Sequence, residues 1–239
     1  MKKLIVLISI LLCFTSLLYS NSAEKYFKAG AEKVLSKDYE SGIKDLNKAI
    51  ALDPKVAKAY FARGAAKLNL GDYAGAIKDL NKSIELDPKT AMSYYTRGMV
   101  KVSQSDNASA MLDFSKAIEL DPKFAEGYYI RGVAKAQLSD YTGGIKDCSK
   151  AIELNPDLAD AYGSRGLDKN ELGDYIEAIN DCDKAIELDP KLAEAYYTRG
   201  NAKYSLGDKQ GALDDLSTAG ELGYDKAYEA IKKIQNKEM

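Results

Sequence analysis

AKAYFARGAAKLNLGDYAGAIKDLNKSIELDPKT, residues 57–90, is one period of a pattern that fills most of this 239-residue chain. Its proline, Pro88, is one of five, and Pro54, Pro88, Pro122, Pro156 and Pro190 follow one another at steps of 34 residues. The same step links Gly30, Gly64, Gly98, Gly132, Gly166 and Gly200, and it links Asp38, Asp72, Asp106, Asp140, Asp174 and Asp208. A fixed period of about 20 to 50 residues marks an array in which each unit buries its apolar face by stacking on its neighbours. Six units result, 23–56, 57–90, 91–124, 125–158, 159–192 and 193–226, followed by 227–239 as a solvating C-terminal helix.

Within 57–90, Gly71 and Asp72 divide two helical stretches. Glycine supplies the left-handed conformation that ends one helix, and aspartate caps the next by accepting a backbone N–H. The spacing predicts helix A over 57–70 and helix B over 73–86, the latter with Tyr73, Ala76, Ile77, Leu80, Ser83 and Ile84 on one face. Counting 57 as place one, every unit has Tyr at place four and Gly at place eight, Ala or Gly at place twenty and Ala or Ser at place twenty-seven, and the first five have Pro at place thirty-two.

This constellation resembles the tetratricopeptide repeat (TPR) family from about Ala23 to the C-terminus. Unit six departs from it with Tyr224 where proline would stand, and unit three has Asn107 in place of the tyrosine at 39, 73, 141 and 175. The resemblance implies an all-α, right-handed superhelix with its concave surface lined by the A helices. It also implies a role in holding other proteins and no chemistry. Family members that clamp a C-terminal carboxylate do so with a set of Lys, Asn and basic residues that includes place six. Here place six reads Lys28, Ala62, Thr96, Ile130, Ser164 and Thr198, so that clamp is missing.

The word YYTRG, at 94–98 and again at 196–200, is resolved by place. Its first tyrosine and its glycine share a stripe that should face helix B, where glycine lets two backbones approach closely. Its arginine recurs as Arg63, Arg97, Arg131, Arg165 and Arg199, while unit one has Ala29; helix B carries Asp45, Asp79, Asp113, Asp147, Asp181 and Asp215. Because Ala29 has no preceding unit, we expect each aspartate to pair with the arginine of the next unit, and Asp215 with Lys233 of the end helix. Such a bidentate ladder would fix the angle between units.

The second letter of the word is Phe27, Phe61, Tyr95, Tyr129, Gly163 and Tyr197. With places nine and twelve it forms a second stripe on helix A, for which the hairpin itself has no need. Phe27, Phe61, Tyr95, Tyr129 and Tyr197, joined by Leu68, Met99 and Val102, are therefore the candidate binding groove. Stacking of neighbouring A helices is the competing use for the same rings.

Other features narrow the function. The chain has no histidine and no tryptophan, which removes the commonest general base and metal ligand, so no enzyme activity, cofactor or metal is expected. Cys148 and Cys182 take one helix B place in successive units, too far apart for a disulfide, and are expected to be buried thiols filling the slot of Leu46, Leu80 and Phe114. Residues 1–22, with Lys2 and Lys3 before an apolar run from Leu4, read as an export signal or an uncleaved anchor, which places the chain in the periplasm or cell envelope. Leu12 before Cys13 speaks against lipidation. Without that segment 32 basic residues face 36 acidic ones, a formal charge of −4, which suits no nucleic acid. The expected function is capture of a peptide or protein in the apolar groove. The alternative is a scaffold that self-associates or joins an envelope assembly, for which Leu112 on the outer side of helix B is the supporting feature.

Overall fold

The computed structural model describes residues 21–236; the leader read at 1–22 lies outside these, Cys13 included, except for Asn21 and Ser22. Thirteen helices and no strand occur among the described residues, an all-α fold. The chain divides into two compact units, one ending at Leu120 and one starting at Asp121. The first holds α1 (described over 21–35), α2 (Tyr39–Leu52), α3 (Ala57–Asn69), α4 (Tyr73–Leu86), α5 (Ala91–Ser103) and α6 (Asn107–Leu120). The second holds α7 (Ala125–Gln137), α8 (Tyr141–Leu154), α9 (Ala159–Glu171), α10 (Tyr175–Leu188), α11 (Ala193–Ser205), α12 (Lys209–Glu221) and α13 (Lys226–Asn236). Odd helices through α11 are the A helices of the repeats and even ones the B helices. No described helix is long and apolar enough to cross a membrane.

One turn chemistry recurs between A and B. The Asp72 N–H donates to the Lys67 carbonyl at 2.9 Å and the Gly71 N–H to the Leu68 carbonyl at 3.0 Å, the paired bonds that close a helix through a left-handed residue. The Asp72 carboxylate then accepts from the Gly75 N–H at 2.9 Å and caps α4. Asp38, Asp106, Asp140 and Asp208 do the same for Ser41, Ser109, Gly143 and Gly211. Asp174 makes no such side-chain cap. The left-handed place is glycine at Gly71, Gly173 and Gly207, but Lys37, Ser105 and Ser139 adopt it with a side chain, at φ of 66°, 62° and 64°. At the other end of the hairpin the residue before proline is driven extended, and Asp87, at φ −140°, ends α4.

Helices A and B meet where the repeated glycine stands. A methyl group added at Gly98 would fall 2.5 Å from the Phe114 ring, and one at Gly64 2.9 Å from Leu80. In the second unit Cys148 and Cys182 take that slot opposite Gly132 and Gly166. Both thiols are free and buried, and burial pushes each up to about 12, so neither is a thiolate near neutrality. The tyrosine of the same stripe is half-buried rather than sealed, because the arginine three residues on covers its outer face. Arg97 lies 5.5 Å from the Tyr94 ring centre, and Arg63, Arg131, Arg165 and Arg199 repeat the contact.

The expected ion-pair ladder between repeats is corrected. Each arginine grips the aspartate of its own hairpin: Arg63 with Asp79, Arg97 with Asp113, Arg131 with Asp147, Arg165 with Asp181 and Arg199 with Asp215. The grip is bidentate, Arg97 Nε and Nη2 reaching the two Asp113 oxygens at 2.9 and 2.6 Å. A lysine one helical turn after the arginine closes on the same carboxylate, as Lys101 does on Asp113 at 2.7 Å. Ala29 therefore strands nothing, because Lys33 takes Asp45 at 2.5 Å and Lys48 joins it. Asp215 is held by Arg199 and Lys203, and Lys233 is no part of that pair. Burial alone would raise the Asp147 carboxyl, but Arg131 and Lys135 together hold it below the usual carboxylate range.

The link to the preceding repeat comes from the third guanidinium nitrogen. Arg63 Nη1 donates to Asn47 at 2.6 Å and Arg97 Nη1 to Asn81 at 2.7 Å. In the second unit Arg165 reaches Ser149 and Arg199 reaches Asp183. One side chain thus ties its own hairpin with a charge pair and its neighbour with a polar contact, two residues beyond the aspartate expected from sequence.

Candidate functional site

Every residue of the candidate groove is half-buried. In the first unit Phe27 packs on Leu46, Ala49, Ala59 and Ala62, while Phe61 and Leu68 pack on Ala76, Leu80 and Val100. Tyr95 tilts against Phe114 with ring centres 5.9 Å apart. Met99 and Val102 follow it along α5, also half-buried. These rings pack on the cores of their hairpins and remain partly exposed. In the second unit Tyr197 leans on Tyr224, with ring centres 4.7 Å apart. The aromatic in place of the last proline thus packs on the last ring of the stripe.

Tyr129 stands apart. It lines a cavity of about 480 Å³ between the A helices α7 and α9, with Val133, Ala136 and Gln137 from α7 and Ser164, Leu167, Asp168 and Glu171 from α9. Tyr141, at the start of α8, and Glu194, in the first turn of α11, complete the wall. Tyr129 and Val133 were legible as parts of the second stripe; Asp168, Glu171, Glu194, Ser164 and Tyr141 were not.

Asp168 is 2% exposed, and no hydrogen bond or ion pair reaches its carboxylate among the described residues. Its place in the repeat is Glu32 in the first repeat, which has no preceding hairpin, and small and apolar in the other four, Ala66, Val100, Ala134 and Ala202. Gly144 of α8 makes the room, since a Cβ there would collide with Asp168 Oδ2. Burial, then the charges of Glu171 and Asp140, push the Asp168 carboxyl up to about 7. Burial, then Asp160, pushes the Tyr129 hydroxyl up to about 12, so it is a neutral phenol at every ordinary pH. The cavity wall therefore offers carboxylates, two tyrosines and two neutral polar groups, and no cation. Among the described residues no group of three or more candidate ligands is placed to hold a metal ion.

Tetratricopeptide repeat models match residues 57–90 and 95–159, and a TPR repeat model matches 166–207. A crystal structure of MamA is 30% identical over 69% of this chain and 96% of its own, with a TM-score of 0.61. The chain belongs to the tetratricopeptide repeat family. A second MamA structure is 29% identical over 72% of this chain and 94% of its own, at a TM-score of 0.62. YrrB, a TPR protein with an unusual peptide-binding site, is 25% identical over 78% of this chain and 97% of its own, at 0.64. No curated protein matches the sequence. In TPR terms the cavity lies between consecutive A helices, the surface on which the sequence put its second stripe.

Proposed function

We propose that this TPR protein is a non-catalytic module that holds a peptide or protein segment against the inner faces of its A helices. The cavity between α7 and α9, with the half-buried Tyr129 in its wall, carries this reading. A ring with one face packed and one face open is pre-ordered at little further entropic cost, which is what makes aromatic anchors effective at interfaces. The similarity to YrrB, a TPR protein with a peptide-binding site, supports a protein-interaction role. No cofactor or nucleic acid enters this account, and a membrane does so only through the N-terminal segment. With Lys2 and Lys3 ahead of its apolar run, that segment supports export to the periplasm or cell envelope.

The test is the double variant Tyr95→Ala/Tyr129→Ala. It should weaken capture of the partner at least tenfold while lowering the melting temperature by only a few degrees. A loss of capture that merely follows a loss of folding would assign the rings to packing.

A scaffold that self-associates through its outer face is the second reading. Leu112 favours it, standing 73% exposed on α6 where a lone leucine has no packing role. Sedimentation of the Leu112→Lys variant against the parent separates the two, because only a scaffold built on that face would lose its assembly.

A further inference from the structure

We propose that the cavity between α7 and α9 receives the basic side chain, lysine or arginine, of the polypeptide held in the groove. This rests on the groove reading and adds the chemistry of the residue recognised. A carboxylate is rarely buried without a partner, because desolvating the charge is costly unless a hydrogen bond or a cation offsets it. Asp168 has neither among the described residues, yet the fold makes space for it by reducing its neighbour to Gly144. Glu171 from its own helix and Glu194 from α11 add two more carboxyl groups to the same wall. Tyr129 and Tyr141 supply ring faces, which attract a cation and accommodate its aliphatic stem. Gln137 adds a neutral acceptor to the wall, and Ser164, whose side chain already hydrogen-bonds the Tyr129 hydroxyl, holds that ring in place. The cavity, at about 480 Å³, is roomier than one such side chain requires, so it admits the head group and its stem together.

The groups facing Asp168 set the pH response. They are Tyr129 on α7, Asp140, Tyr141 and Cys148 around α8, Glu171 on α9 and Glu194 on α11. None brings a positive charge. With its carboxyl at about 7, Asp168 is mostly ionised at pH 8 and mostly protonated at pH 6. A cation that needs the carboxylate then binds about tenfold more weakly at the lower pH.

The experiment uses the purified chain and four probes: Ac-Ala-Ala-Lys-Ala-Ala-NH2, the same peptide with arginine or with norleucine in place of lysine, and butylamine. Binding is read from the amide NMR signals of Tyr129, Ser164, Leu167 and residue 168. The lysine and arginine peptides should shift these signals, the norleucine peptide should bind at least tenfold more weakly, and butylamine should bind more weakly than either basic peptide. Asp168→Asn, which keeps the shape and removes the charge, should abolish the preference for a basic residue and its pH dependence. Equal binding of norleucine and lysine, an unaltered preference in Asp168→Asn, or butylamine binding as tightly as the peptides overturns the proposal. Capture through Tyr95 and Tyr129 is measured separately, so intact capture with no response to lysine sinks only this inference. Loss of capture with the response intact sinks the groove.

Discussion

The Asp168 carboxylate fills the space into which a side chain on Gly144 would project. The two residues belong to adjacent hairpins of the second unit: Asp168 departs from the small apolar residue of the neighbouring repeats, and Gly144 is glycine at a place that takes alanine or glycine. In the other repeats that follow an alanine at place twenty, the facing residue is small and apolar.

That relationship predicts coupling. Gly144→Ala alone should destabilise the chain by roughly 1 to 3 kcal/mol, since the added methyl group must displace a buried carboxylate. In an Asp168→Ala background the same change should be nearly neutral, because it rebuilds the alanine pairing of Ala178 with Ala202. Chemical denaturation of the four chains measures the cycle. A coupling energy above about 1 kcal/mol is expected, and strict additivity would contradict the contact.

Asp168 also predicts how stability depends on pH. Its carboxyl titrates near 3.8 when unfolded and at about 7 in the fold. Between those values the folded state holds a proton that the unfolded state has released, so this group removes stability as pH rises through that window. Asp168→Asn should therefore be more stable than the parent at pH 8, by roughly 4 kcal/mol, with the difference shrinking toward pH 4. Thermal melts of both chains across this range check the sign. A constant difference would contradict it.

The corrected ion pairs predict unequal costs along the array. Asp113→Ala removes the shared partner of Arg97 and Lys101 at a buried position, and should cost about 2 to 3 kcal/mol. Asp45→Ala should cost markedly less, because Lys33 and Lys48 remain in contact with water. Denaturant midpoints of the two variants decide, and equal losses would contradict the pairing.

The turns predict a gain. Ser105 and Ser139 hold left-handed backbone that glycine adopts without strain. Ser105→Gly and Ser139→Gly should each stabilise the chain by about 1 kcal/mol, and Gly173→Ala should lose a similar amount. Unfolding curves of the three chains measure this.

What was legible in the sequence was whatever repeats. Six copies of a 34-residue spacing set the helices, the glycine that lets A and B approach, and the slot that Cys148 and Cys182 inherit from leucine. The arginine partner was misassigned because Ala29 drew attention to place seven alone, while the lysine at place eleven, constant from Lys33 to Lys203, closes each hairpin on its own aspartate. The cavity was missed for the opposite reason. It is built from exceptions to the repeat, and a stripe read across all units passes over the one in which alanine becomes Asp168. Its signal was nonetheless present, as a charged residue in a small apolar place facing a glycine on the neighbouring helix B.

The most direct test of the account is site-specific photo-crosslinking from position 129, with position 112 on the outer face as control, in cells that produce the chain. The groove account predicts that position 129 captures one discrete polypeptide and that position 112 does not. Equal capture from both positions, or capture from 112 alone, would contradict it.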